Sequence, residues 1–240
     1  MKIRGRGLVS TVRLLLVLLV ALGAGEASAV REGEQLWAMG ALQGGFGFIS
    51  PKLDRVKGYL ELQGRWRSFE SLETAFLPRF ALGYAITPEL TAFAGFAQVE
   101  FDNARKKPYS ELRPYQQLTW NLPVTGFALQ SRTRLEQRIN QENLGWRLRE
   151  FVKATVPIPG MDRIYLAAYD ELFFELDDTT WKVGGQRRGL RQNRFFVGPG
   201  FRLDESKHVS LEVGYLNQWV DRKRNDRDNH VLSLNLFLNY

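Results

Sequence analysis

From about residue 36 to the C-terminus the chain alternates apolar and polar positions with a period of two, and turn residues break the alternation every 15 to 20 residues. The last stretch is the plainest case: Leu232, Leu234, Leu236, Leu238 and Tyr240 share one parity, while Ser233, Asn235 and Asn239 share the other. In "VSLEVGYLNQW", Val209, Leu211, Val213, Tyr215 and Trp219 oppose Ser210, Glu212 and Gln218. In "AFAGFAQVEF", Phe93, Ala97, Val99 and Phe101 lie opposite Phe96, Gln98 and Glu100. A period of two is the signature of an extended strand, whose successive side chains leave opposite faces. It predicts strands near 36–49, 55–69, 74–86, 90–102, 110–122, 126–139, 143–156, 162–176, 191–203, 208–220 and 230–240. No stretch reads convincingly as helix, and no composition shift marks a second domain.

The breaks alternate in kind. Short turns sit at Thr87-Pro88, Pro123 to Gly126, Pro157 to Gly160 and Asp204 to Lys207, and between them lie polar connections such as "DNARKKPYS", "DDTTWKVGGQRRGL" and "DRKRNDRD". Short turns at one end and long charged loops at the other predict an all-β, antiparallel, up-and-down transmembrane barrel of 10–12 strands with a polar, charged lumen. Bacterial barrels of one chain normally have an even strand number. Residues 36–49 are therefore expected either to be short or internal, leaving ten, or to break at Gly44-Gly45 and complete twelve.

The segment "SRTRLEQR" decides which face points inward. Arg132, Arg134, Glu136 and Arg138 share one parity, and Ser131, Thr133, Leu135 and Gln137 the other. An Arg on the lipid face costs ~2–4 kcal/mol at mid-bilayer, and several would approach the ~5–15 kcal/mol by which a domain is stable. The charged parity must face the lumen. The same test turns Glu61, Gln63, Arg65, Arg67, Arg79, Arg113, Arg147, Arg149, Glu171, Glu175, Arg194, Arg202 and Glu212 inward. Glu150 and Asp170 carry the apolar parity of their strands, and a bulge near either would re-aim it.

Turn positions suggest registers. A hairpin pairing Leu122 with Phe127 puts Arg113 opposite Glu136 and Glu111 opposite Arg138; the next connections put Arg147 across from Glu136 and Glu171 across from Arg147. The expected result is a lateral belt, Arg113–Glu136–Arg147–Glu171, with opposite charges directly across strands. Arg134 and Arg149 then face each other, and Glu111, Tyr115 or Tyr169 is expected to reach them. These side chains either fill the lumen as structure or line a narrow conduit or pocket for an anionic group. Long Arg and Tyr chains leave no room for an open general porin.

The N-terminus changes the picture of location. Lys2, Arg4, Arg6 and Arg13 precede and enter the apolar run Leu14 to Leu22, followed by Ala27-Ser28-Ala29. That pattern predicts a signal peptide cleaved after Ala29, leaving residues 30–240 as one barrel domain. Its removal takes four basic residues and Glu26 from a chain of formal charge +7, leaving +4. So small a surplus, spread among both signs, does not point to nucleic acid. There is no cysteine, hence no disulfide framework and no thiolate metal site. No cofactor or metal is expected. Trp37, Trp66, Trp120, Trp146 and Trp219 fall toward strand ends or the apolar parity and are expected in an interfacial girdle.

Catalytic candidates are few. His208-x-Ser210 places a histidine and a serine on one face of a strand, as a nucleophile and its base require. The spacing resembles the His-x-Ser element of outer-membrane phospholipases and lipid A deacylases. His208 nevertheless sits beside a short turn on the lumen parity, far from where those enzymes meet the outer leaflet.

The order of Trp37, "ELRPYQQL", "SRTRLEQR", "WRLRE", "YDELFFEL", "NRFFVGPGFRL", "EVGYLNQW" and terminal "HVLSLNLFLNY" resembles the outer-membrane barrel family called domain of unknown function 2490. The resemblance spans nearly all of residues 30–240. It implies the outer membrane of a Gram-negative bacterium and supplies no activity. The expectation is a monomeric, non-enzymatic barrel surrounded by outer-membrane lipids, whose aromatic C-terminal strand is read by the barrel-assembly machinery. Two alternatives stand beside it: a lipid hydrolase built on His208 and Ser210, and a soluble periplasmic barrel with the faces reversed.

Overall fold

The computed structural model describes residues 31–66, 74–102, 109–140, 143–179, 187–206, 208–222 and 226–240. Eleven strands run in order: β1 (Arg31–Gly45), β2 (Val56–Trp66), β3 (Thr74–Ala85), β4 (Leu90–Asp102), β5 (Tyr109–Val124), β6 (Phe127–Ile139), β7 (Leu144–Ile158), β8 (Met161–Glu175), β9 (Gly189–Arg202), β10 (Val209–Val220) and β11 (Arg227–Asn239). Successive strands pair antiparallel, and the sheet closes where β1 meets β11.

That closure is parallel, with register from Arg31↔Arg227 to Gln43↔Asn239. Eleven lies within the expected 10–12 strands, and the parallel seam sets aside the even-number argument that divided the expectation between ten and twelve. Strands that alternate in direction bring the first and eleventh to the seam running the same way, so an odd barrel closes only through a parallel ladder. β1 is one unbroken strand of the wall, neither internal nor split at Gly44-Gly45.

The topology sorts the connections. Residues 46–55, 86–89, 125–126, 159–160, 203–206 and 208 lie at one end with Tyr240, and residues 140, 143, 176–179, 187–188, 221–222 and 226 at the other. They are called here the short-turn end and the long-loop end. The tight turns have local causes. Gly126 (φ 91°) and Gly160 (φ 79°) occupy the left-handed region that side chains disfavour. Pro159-Gly160 supplies the fixed φ and the positive φ of a type II turn. In the 203–208 turn Asp204 accepts backbone N–H bonds from Val209 at 2.7 Å and from His208 at 3.1 Å. The Val209 N–H foremost, aided by that of His208, holds the exposed Asp204 carboxyl below its ordinary range.

The faces are sorted by charge as the lipid-cost argument requires. Leu60, Leu62, Phe80, Leu82, Phe96, Leu118, Leu232 and Leu236 are exposed on the outside, whereas Glu111, Arg134, Glu136, Arg138 and Glu175 are each at most 2% exposed. The reversed arrangement, apolar side chains inside and charges outside, is not the one present. One strand departs from the rule. In β4 the apolar parity Phe93, Ala97 and Val99 faces the lumen and Glu100 faces out. Val99 packs with Ala75 and Leu77 into an apolar lumen plug on the β3–β4 side.

Glu150 and Asp170 point outward without a bulge at either residue; the β7–β8 register is continuous from Arg147↔Glu175 to Pro157↔Tyr165. Each takes an outward hydrogen bond from the adjacent strand, Glu150 from the Thr133 hydroxyl at 2.8 Å and Asp170 from Asn193 Nδ2 at 2.7 Å. The proposed signal segment, Arg67 and most of the three charged loops lie outside the described residues.

Candidate functional site: a charged belt above a cationic cup

Near the long-loop end an ion network crosses the lumen. Arg113 and Arg138 both bond Glu111, with Nε to Oε1 distances of 2.7 Å. Arg138 continues to Glu175 at 3.2 Å, and Glu175 accepts from Arg147 Nε at 2.5 Å. Arg147 Nη1 approaches Glu136 Oε2 at 3.9 Å. Arg149 then links Glu136 to Glu171, at 2.6 Å to each. Glu171 also takes Arg132 at 2.7 Å and Arg194 at 3.5 Å. Desolvated charges are costly unless paired and hydrogen-bonded, so a network this dense holds together only because each carboxylate serves two or three guanidiniums.

Structure brings together all the expected belt residues, Glu111, Arg113, Arg132, Arg134, Glu136, Arg138, Arg147, Arg149 and Glu171, but by other pairings. The β5–β6 hairpin turns through only Thr125-Gly126, pairing Val124 with Phe127 and Leu122 with Leu129. Tyr115, and not Arg113, therefore faces Glu136. A slip of two residues preserves the faces while it moves every partner. The β7–β8 turn pairs Ile158 with Met161, but a register shift between Pro157 and Ile158 then sets Pro157 against Tyr165, so Arg147 meets Glu175 and Glu171 meets Phe151. The β6–β7 expectations hold: Glu136 faces Arg147, and Arg134 faces Arg149. Of the three residues expected to relieve that last pair, Tyr115 does so for Arg134, whose guanidinium lies 4.3 Å from the ring centre. Glu111 is engaged elsewhere, and Tyr169 lies between Phe151 and Phe196, at 5.1 and 4.9 Å.

Below the belt the lumen opens into a cavity of about 560 Å³. Pro123, Ala128 and Asn239 line it at the short-turn end, and Arg149, Arg194, Arg65 and Trp37 line it at depth. None of Glu111, Arg113, Arg138, Arg147 and Glu175 lines it. Those belt residues sit at the long-loop ends of β5 to β8 and are buried or nearly so. The space is a cup that reaches the short-turn end, with those belt residues lying beyond its lining on the β5 to β8 side.

Charge in the cup is unequal. Arg65, Arg79, Arg132, Arg149, Lys153 and Arg194 line it against Glu61, Glu171 and Glu212. Glu61 is engaged by Arg79 and the Tyr59 hydroxyl. Glu212 is engaged by Lys153 at 2.6 Å and by the Tyr165 hydroxyl at 3.0 Å. Three guanidiniums share Glu171. Arg65 has no carboxylate among the described residues; it bonds Gln63 Oε1 and stacks on Trp37 at 3.9 Å. Arg194 lies 4.9 Å from the same ring.

Trp37 is the residue that sequence reasoning misplaced. It is 2% exposed and packs in the lumen with Phe196, Leu216 and Val231, not in an outer girdle. Its parity with Gln35, to which its indole N–H donates at 2.9 Å, was the available signal. Trp66, Trp120 and Trp146 are on the outside, as expected.

Ser210 lines the cup near its mouth, while His208 is exposed in the turn, and no hydrogen bond joins their side chains among the described residues. Among the described residues no group of three or more His, Cys, Asp or Glu is placed to hold a metal ion.

Comparison with known proteins places the chain. An uncharacterised protein of Methylorubrum extorquens is 33% identical over 236 residues, covering 95% of this chain and 98% of the relative. The profile of a family described as a protein of unknown function, DUF2490, matches residues 34–229. The chain belongs to that family.

Proposed function

We propose that this protein is an exported, monomeric outer-membrane barrel that does not conduct and does not catalyse, but holds a small anionic solute in its lumen cup. The observation that carries the reading is the cup's roof, where Arg65 has no carboxylate partner among the described residues and Arg132, Arg149 and Arg194 converge on Glu171, Arg149 reaching Glu136 as well. An entering anion gains charge-assisted hydrogen bonds from groups that are already desolvated and fixed. The apolar exterior supports a lipid surround, and the short turns support a periplasmic mouth. The basic, apolar and small-residue segments of residues 1–29 support export with cleavage after Ala29.

Membrane fractionation with surface proteolysis tests the location. Cleavage within residues 103–108 in intact cells, with a protected remainder, is expected. Migration of the purified chain that changes on heating would accompany it. Anion binding to the detergent-folded chain, weakening with salt, tests the cup.

A further inference from the structure

We infer that the cup is built for a hydroxylated ring bearing one acidic group, that is, a sugar acid or sugar phosphate. This inference rests on the anion-binding reading and specifies its ligand. Below the cationic roof the walls are of two kinds. One arc, from β7, β8 and β11, presents Phe151, Tyr165, Tyr169 and Phe237. The Tyr165 ring is fixed there because Gly200, its direct partner on β9, has no Cβ to occupy the same space. Another arc, from β5 and β6, presents Gln117, Thr119, Asn121 and Gln130.

The amide arc is only half used by its own bonds. Gln117 Nε2 donates to Thr119 Oγ1 at 2.9 Å, and Gln130 Nε2 donates to Asn121 Oδ1 at 2.8 Å. The Thr119 hydroxyl proton, the Asn121 amide hydrogens and the Gln130 carbonyl have no side-chain partner among the described residues. They form a mixed row of donors and acceptors, which is what neighbouring ring hydroxyls require, since each hydroxyl both donates and accepts. An acyl chain would leave that row unpaired. The C–H faces of a sugar ring pack on aromatic side chains while its hydroxyls meet the amides.

The roof supplies the acid's partners. Arg79 is 6% exposed, lines the cup, and has an Nε with no hydrogen-bond partner among the described residues. Arg65, with no carboxylate partner among the described residues, stands beside Trp37 at the same depth. A carboxylate or phosphate there takes a forked guanidinium bond. The space, about 560 Å³, lies within the range of small-ligand pockets and holds one such ring.

Titration calorimetry on the full, detergent-folded chain tests this with glucuronate, glucose 6-phosphate, glucose, inorganic phosphate and decanoate. Glucuronate or glucose 6-phosphate is expected to bind at least tenfold tighter than glucose, inorganic phosphate or decanoate. Arg65→Gln should remove the advantage over glucose. Thr119→Val with Asn121→Leu should bring glucose 6-phosphate down to the affinity of inorganic phosphate. Heat-dependent gel migration confirms that each variant is folded. Inorganic phosphate binding as tightly as glucose 6-phosphate, or decanoate binding more tightly, would overturn the sugar inference and leave the anion cup standing. Binding of glucose alone, or of none of the anions, would overturn both.

Discussion

Arg134 and Arg149 sit directly opposite each other on β6 and β7, and a single carboxylate lies between them: Glu136 Oε1 is 3.6 Å from Arg134 Nη1 and 2.6 Å from Arg149 Nη1. Two buried guanidiniums cannot remain neighbours without that charge. Removing one partner of a buried ionic group typically costs about 3–5 kcal/mol, because the remaining charges are left desolvated and unbalanced. Glu136→Gln should therefore lower the urea midpoint of the detergent-folded chain by a corresponding amount. Adding Arg134→Gln should restore part of the loss, as a double-mutant cycle would measure. A Glu136→Gln chain with an unchanged midpoint would show that the lumen is wet enough to screen the pair.

Two lumen arginines, Arg138 buried and Arg65 half-buried, should respond in opposite ways to loss of charge. Arg138 joins Glu111 to Glu175, so Arg138→Gln leaves two buried carboxylates short of a partner. It should be among the most destabilising single changes, again about 3–5 kcal/mol. Arg65 has no carboxylate to orphan among the described residues. Arg65→Gln should forfeit little more than its stacking on Trp37, about 0.5–2 kcal/mol, and its main effect should be on anion affinity. Unfolding midpoints of the two variants, compared side by side, check the contrast.

The sidedness of the barrel was legible because it depends on parity alone, and parity survives every even slip. Arg134, Glu136 and Arg138 are buried wherever the hairpins turn. Their partners were less legible. A two-residue turn at Thr125-Gly126 in place of a longer one moved Tyr115 to where Arg113 was expected. The exact strand number within the expected 10–12 was less legible for another reason. The eleven alternating segments were visible, but the choice between discarding, splitting or keeping the first depends on the seam, a contact between residues some two hundred positions apart. No local pattern encodes it. Trp37 was hidden by its chemistry, since an indole suits a membrane girdle as well as it suits a guanidinium stack.

The seam can be read by cross-linking, because the chain contains no cysteine to interfere. Ala38 on β1 is paired with Leu234 on β11. Ala38→Cys with Leu234→Cys should cross-link under mild oxidation and shift on a non-reducing gel. Ala38→Cys with Leu238→Cys, four residues further along β11, should not. The reverse result would mean that β1 enters in another register or direction.

The turn at Asp204 predicts a local acid sensitivity. Its carboxyl is held below the ordinary range, chiefly by the Val209 N–H. A group whose folded pKa is depressed contributes above its unfolded pKa, and the contribution fades as pH falls through the folded value. Amide exchange at Val209 and His208 should therefore be protected at neutral pH and quicken relative to neighbouring strand amides as the solution is acidified below the ordinary Asp range. Asp204→Asn should weaken the protection at neutral pH and flatten its pH dependence. Exposure of the turn makes the global stability change small.

The belt makes a prediction about conduction that separates a cup from a conduit. Glu111, Arg138 and Glu175 are each at most 2% exposed near the long-loop end, so an ion entering from the short-turn end meets a desolvated barrier of fixed charges. The intact chain in a planar bilayer should give no resolvable single-channel step. Arg138→Ala together with Glu175→Ala removes one charge of each sign and two long side chains from the centre of that barrier. Net charge is unchanged, so any new current reports space and not attraction. The double variant should show discrete conductance steps, with a preference for anions set by Arg65, Arg132, Arg149 and Arg194 below. If it stays silent while folded, the seal is carried by Leu77, Val99 and Phe173, which are buried in the same half of the lumen.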